Sequence, residues 1–201
     1  ADRALSPFWD AQRLVLAQLR LAQPLQEAAQ SAASRLGKYV AVHVRLKDQG
    51  GGWSKGLNAS GFKAQLQSIR QVIRALVGNR FTEPTGPTVY FASNRPGVLR
   101  AQQRAIAEAL GLRVRTWFDL AAAMGGERPR GLRAALIEHE LCVLAPAGFI
   151  GSAWSTWANL IGSRRHAARM PTAIAYLDAT SGSRVPSCDT SAVRRAGGLS
   201  F

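Results

Sequence analysis

The chain reads as an α/β fold, a Rossmann-like and mainly parallel sheet with helices on both faces. Short apolar, β-branched runs recur along it, and between them lie segments of about ten to eighteen residues with apolar residues at helical spacing. Strands separated by such helices pair in parallel through crossovers, which cover both faces of the sheet. Size agrees: 201 residues, 47% hydrophobic and 19% charged, suffice for a domain with its own core and are unlike a disordered chain.

Taken in order, residues 6–36 read as helix, restarted at Pro24. Phe8, Leu14, Leu16, Leu19 and Leu21 alternate with Gln and Arg, and Ser6-Pro7 supplies a cap followed by Pro in the first turn. Residues 1–36 are therefore expected to be a helical segment packing on the domain proper, residues 37–179. The first strand is expected at 39–46, ending in polar residues, and Asp48-Gln49-Gly50-Gly51-Gly52-Trp53 follows as a loop. Phe62, Leu66, Ile69, Val72, Ile73 and Leu76 mark a helix over 60–77. A second strand falls at 88–93. Asn94 is placed to cap the next helix, with Pro96 in its first turn and Gly111 at its end. A third strand spans 112–117, and a loop runs through Gly125-Gly126 and Pro129. A helix over 131–144 is stopped by Pro146, a fourth strand lies at 148–151, a helix at 152–165 and a fifth strand at 172–176. Residues 180–201, rich in Ser, Gly, Pro and Arg, read as a loop-like tail.

The formal charge is +14, from 26 Lys+Arg against 12 Asp+Glu. This invites a nucleic-acid reading, since clustered cations gain affinity for a phosphate backbone by counterion release. The cations are 22 Arg and 4 Lys beside 34 Ala and 19 Gly, a skew that GC-rich coding produces, and the arginines are scattered in ones and twos. A general surface charge is favoured over a nucleic-acid site. Cys142 and Cys188 show no zinc-ligand spacing, and a single disulfide between them stays open. No run of about eighteen apolar residues occurs, so no membrane span is expected. The chain begins at Ala1 without an initiator Met and reads as an excised piece.

Neither GxxxxGK[ST] nor GxGxxG nor GxSxG is present, which removes the main support for ATPase, ordinary dinucleotide and esterase readings. In parallel sheets, ligands bind outside the carboxyl ends of the strands. Two clusters fall there. In His43-Val44-Arg45-Leu46-Lys47-Asp48, His43 and Arg45 point to one side of the strand. Arg45 offers a planar fork of donors suited to phosphate, and Asp48 is placed to orient it, although a strand-end ion pair is the plainer reading. In Gly151-Ser152-Ala153-Trp154-Ser155-Thr156, hydroxyls and amides at a helix N-terminus suit an anion, or simply cap the helix. Together they would hold a diphosphate. Glu140 shares an inward helical arc with Leu136 and Val143, while Glu138 is expected elsewhere, and a carboxylate near the site can accept from guanine N1–H and its amine. His139 and His166 have no partner at metal or triad spacing and are read as structural.

These residues resemble the GDP-fucose-dependent fucosyltransferases, a family that includes core and protein O-fucosyltransferases. Ala41-Val42-His43-Val44-Arg45-Leu46-Lys47-Asp48 resembles the family's HVRxxD strand. Val89-Tyr90-Phe91-Ala92-Ser93-Asn94 is similar to its VYxATD strand, and Glu140 with Ala147-Gly148-Phe149-Ile150-Gly151 and Trp154-Ser155-Thr156 to its later nucleotide-binding segment. The likeness covers about residues 38–165, the donor-binding half of a two-Rossmann (GT-B) enzyme. It implies an inverting transferase that uses GDP-fucose without a metal or other cofactor, works on a protein or glycan acceptor together with a missing N-terminal half, and resides in the Golgi or endoplasmic reticulum lumen. Arg45 would hold the β-phosphate and help GDP leave. His43 would lie near guanosine, Asp48 would orient Arg45 and the donor, Asn94 stands where the family has Asp, Glu140 would read guanine, and Ser155 and Thr156 would bind the diphosphate. Leu46 replaces a second arginine of the core enzymes, and Trp53 stands where that branch places a carboxylate base, so no base is named. The alternatives are a silent GDP-sugar-binding relative and a basic RNA- or polyanion-binding α/β module.

Overall fold

The computed structural model describes residues 15–16, 18–45, 60–78, 87–123, 130–152 and 155–175. Five strands, β1 (Tyr39–Val44), β2 (Thr88–Ser93), β3 (Val114–Thr116), β4 (Gly148–Ser152) and β5 (Thr172–Ala175), form one sheet in the order β3-β2-β1-β4-β5, every pair parallel. The helices are α1 (Gln23–Leu36), α2 (Ser60–Val77), α3 (Pro96–Leu110), α4 (Trp117–Ala123), α5 (Gly131–Leu144) and α6 (Thr156–Ala167). The α/β class with a parallel, Rossmann-like sheet is thus as expected.

All six residues of β1 and all six of β2 are buried, as central strands covered on both sides require. Alternation then divides the core in two. Tyr39 and Ala41 of β1, Tyr90 and Ala92 of β2 and Phe149 of β4 pack against α1, α4, α5 and α6 through Ala29, Ala32, Leu120, Ile137, Leu141 and Ile161. Val40, Val42 and Val44 face the other way, with Phe91 and Ile150, against Leu66, Ile69 and Ile73 of α2 and Leu99, Ile106 and Leu110 of α3. α2 crosses so close to the start of β4 that Gly148, at φ +139°, has room for no side chain: a Cβ there would lie 3.0 Å from Leu76 Cδ1.

The restart at Pro24 is found, with the proline at the start of α1, and Gly111 ends α3 in the left-handed conformation. Several boundaries differ from expectation: β1, expected over 39–46, ends at Val44, and α6 runs on to Ala167. The third strand is only three residues long, and the segment after it, expected as loop, opens with α4. Asp119 explains the turn, because its Oδ2 accepts from the Thr116 amide (2.7 Å) and from Gln103 Nε2 (2.9 Å). Asn94 is not the cap of α3. That place is taken by Arg95, whose amide donates to Ser93 Oγ at 3.1 Å. α6 begins at Thr156 rather than 152, since β4 continues through Ser152.

Cys142 is a free thiol, fully buried, and burial pushes its pKa up. Cys188 lies outside the described residues, as do Asp48, Trp53 and the tail. No helix among the described residues is long and apolar enough to cross a membrane.

Candidate functional site

From β1 the chain moves to β2 and β3 on one side of the sheet, then crosses to β4 and β5 on the other. The carboxyl ends of β1 and β4 therefore form the switch point at which ligands bind in such sheets. His43, the fifth residue of β1, is paired in register with Gly151 of β4 and Ala92 of β2. By alternation it faces α5 and α6, and Arg45, two residues on, shares that side. Arg45 is exposed just beyond the strand. Its charge reinforces the effect of burial on His43, whose pKa is lowered to about 4, so the imidazole is neutral at pH 7.

The N-terminus of α6 stands on this same side, because its Ala158 and Ile161 belong to the core layer of Tyr39 and Ala41. Ser155 is the cap: its Oγ accepts from the Ala158 amide at 3.2 Å, and its own amide donates to Ser152 O at 3.0 Å. The Ser155 hydroxyl thus serves the helix, while Thr156, the first helical residue, is exposed. With the Ala158 amide taken by this cap, the Thr156 and Trp157 amides remain without an intrahelical acceptor at the positive end of the helix.

Glu140 is buried, but its carboxylate is committed. Arg164 of α6 holds it with two bonds, Nη1 to Oε2 at 2.7 Å and Nη2 to Oε1 at 3.3 Å, and Arg164 Nη2 also donates to Leu19 O. Glu138, expected away from the inward arc, is instead buried beneath the sheet, accepting from Tyr90 Oη at 2.7 Å. Desolvation raises its pKa to about 7 against the opposing effect of that bond. This correction has a clear cause. Six consecutive residues of α5, from Ile137 to Cys142, are buried, because the sheet, α1 and α6 enclose the helix. A helix covered all round has no polar face by which periodicity could separate Glu138 from Glu140.

His139 is the residue that sequence reasoning assigned to structure alone. It is 3% exposed, its ring meets Trp157 in the first turn of α6 edge-on at 4.7 Å, and its Nδ1, like that of His43, is buried without a hydrogen-bond partner among the described residues. Burial lowers its pKa to about 4, helped by Arg164 and by His43. The Trp157 contact and the approach of α5 to β1 carry no signature in the sequence. His166 is exposed.

The structure therefore brings His43, Arg45, Ser155 and Thr156 to one end of the sheet. Asn94 sits at the end of β2, exposed, its Oδ1 accepting from Ser93 Oγ at 3.3 Å. Among the described residues no three His, Cys, Asp or Glu gather as metal ligands. Compared with models of known protein families and with curated proteins, the chain finds no match.

Proposed function

We propose that the carboxyl ends of β1 and β4 bind the diphosphate of GDP-fucose, and that the chain is the donor-binding part of an inverting, metal-independent fucosyltransferase acting on a protein or glycan acceptor in the secretory pathway. One observation carries this reading. The alternation of β1, continued one residue past its end, turns Arg45 toward the side on which the N-terminus of α6 stands, and a guanidinium fork and a helix end both suit a diphosphate.

When an acceptor oxygen attacks the anomeric carbon, the bond to the β-phosphate breaks and charge collects on the departing diphosphate. Arg45 and the first-turn amides of α6 meet that charge with groups already in place. The identity of base and sugar rests on the resemblance of residues 41–48, 89–94 and 147–156 to the fucosyltransferase motifs. The pairing of Glu140 with Arg164 weighs against Glu140 reading guanine, and contacts to the base are assigned to other groups. Trp53, standing where core enzymes place a carboxylate base, favours a second reading, a nucleotide-binding relative without transfer. Release of GDP from GDP-fucose by the full-length protein separates the two.

Calorimetry with GDP tests the site itself. Hydrogen bonds to charged groups contribute about 1.5–3 kcal/mol, so Arg45→Ala is expected to weaken binding by roughly tenfold or more. Absence of GDP binding, or unchanged affinity in Arg45→Ala with salt-dependent binding of RNA, overturns the proposal.

A further inference from the structure

Two imidazoles, His43 at the carboxyl end of β1 and His139 against the first turn of α6, keep a buried Nδ1 with no partner among the described residues. Orphaned nitrogens of this kind are uncommon, because a buried polar group without a hydrogen bond costs about 1–3 kcal/mol. His43, from β1, is 5% exposed; His139, from α5, is 3% exposed. They are near enough for each to sense charge at the site: Arg45 acts on His43, and His43 and Arg164 act on His139. Trp157, in the first turn of α6, rests against His139.

We infer, building on the diphosphate reading above, that His43 and His139 form a proton-accepting seat beneath the anion, so that binding of a diphosphate ester is coupled to proton uptake and tightens as the pH falls. The charges around the pair decide the sign. Arg45 beyond β1 and Arg164 from α6 are both positive. Glu140 on α5 is tied to Arg164, Glu138 on the same helix is tied to Tyr90 of β2, and the buried residues of α1 are Ala29, Ala32 and Leu36. A protonated imidazole is thus disfavoured when the site is empty, by desolvation first and by the arginines second. An entering dianion offsets the arginines and supplies an acceptor for the new N–H. The proton comes from solvent and no covalent bond is made or broken.

The size of the effect follows from linkage. If the ligand restores one imidazole from about 4 to its ordinary 6.5, affinity rises about tenfold between roughly pH 7.5 and pH 5.5. GDP-fucose is the suitable probe, since its esterified diphosphate does not itself titrate in that window.

The experiment is calorimetry of GDP-fucose binding to the chain at both pH values, in buffers of different ionisation enthalpy, with His139→Gln, His43→Gln and Glu138→Gln alongside. Expected are net proton uptake and an affinity gain near tenfold in the wild type, reduced in either histidine variant and retained in Glu138→Gln. The wild-type measurement decides even if a variant fails to fold. Binding that depends on Arg45 yet shows no proton uptake overturns the inference and leaves the diphosphate reading standing. Uptake lost only in Glu138→Gln overturns it as well, moving the proton to the carboxyl group. No binding of GDP-fucose at either pH defeats the diphosphate reading, and the inference with it.

Discussion

Glu140 separates two readings of the site, and its replacement distinguishes them. The carboxylate and Arg164 are 8% and 5% exposed, and their closest approach is 2.7 Å. At an effective dielectric constant of about 20 their attraction is about 6 kcal/mol. Desolvating the two ions costs several kcal/mol apiece, so the pair contributes little net stability. Removing one partner is a different matter, because Glu140→Ala leaves the Arg164 guanidinium buried with a single remaining acceptor at Leu19 O. The expected loss is on the order of 3–5 kcal/mol. For a chain of this length that corresponds to a fall of about 10 °C in Tm or more. Arg164→Met combined with Glu140→Leu should recover most of the loss, since it replaces two ions by apolar side chains and leaves neither charge behind. Thermal melts and urea titrations of Glu140→Leu, Arg164→Met and the double variant, read as a double-mutant cycle, measure the coupling. A Glu140→Ala protein that melts within about 1 °C of the wild type but loses GDP affinity would refute the structural role and return the carboxylate to the nucleotide.

Three further outcomes follow from the same coordinates. Arg165, fully buried, donates from Nη1 to Cys142 O and Val143 O, from Nη2 to Pro171 O and from Nε to Thr172 Oγ1; Arg165→Leu should cost roughly 3 kcal/mol or more by orphaning these acceptors, measured by urea unfolding. His43 and His139 are held near 4 when folded against 6.5 unfolded, so the unfolded chain binds more protons between those values and stability is lost as the pH falls through that window. Glu138, raised to about 7 from 4.5, works in the opposite sense, its contribution declining as pH rises between those values, so Tm in His139→Gln should fall less steeply than wild type below about pH 6.5, and a parallel fall refutes the assignment. Gly148→Ala, forced to hold φ +139° with its Cβ against Leu76, should destabilise by about 1–3 kcal/mol in the same melts, and a neutral result would mean that β4 starts differently.

The sheet was legible because its evidence is local. Each of the runs at 39–46, 88–93 and 148–151 has an apolar centre of three or more residues or is bounded by Gly, and the helices at 60–77 and 131–144 are bounded by Gly or Pro. The short helix after β3 has its start signal in Thr116-Trp117-Phe118-Asp119, a capping box in which Asp119 Oδ2 accepts from the Thr116 amide, but reading the third strand through Trp117 hides it, and the further contact of Asp119 with Gln103 of α3 spans 16 positions. The site was legible only in part. His43 and Arg45 follow from strand alternation, a rule of period two that requires no knowledge of neighbours. Glu138, His139 and Glu140 lie in the stretch of α5 from Ile137 to Cys142 that is buried on every side, where sequence spacing carries no information about which neighbour each will meet. Arg164, 24 residues from Glu140, and Trp157, 18 from His139, were brought to them by packing.

That packing bears on the net charge of the chain. Arg164 and Arg165 are consecutive, and on a helix consecutive side chains diverge by about 100°. One therefore reaches Glu140 in the middle of α5, while the other reaches the carbonyls at the end of α5 and the start of β5. Both sit in the last turn of α6, where cations complement the negative end of the helix dipole. The opposite end of the same helix is fixed by the Ser155 cap and by Trp157 against His139. A group that stabilises developing charge must already be in place when the charge appears, which requires rigid support from outside its first contacts. The buried arginines supply that support toward the far end of α6, about 12–14 Å from the amides that would meet the diphosphate, taking about 1.5 Å per residue over the eight or nine residues from Thr156. Part of the excess charge is therefore committed to the frame of α5, α6 and β5, and Arg45, exposed just beyond β1, is the arginine that the proposed reading assigns to the ligand.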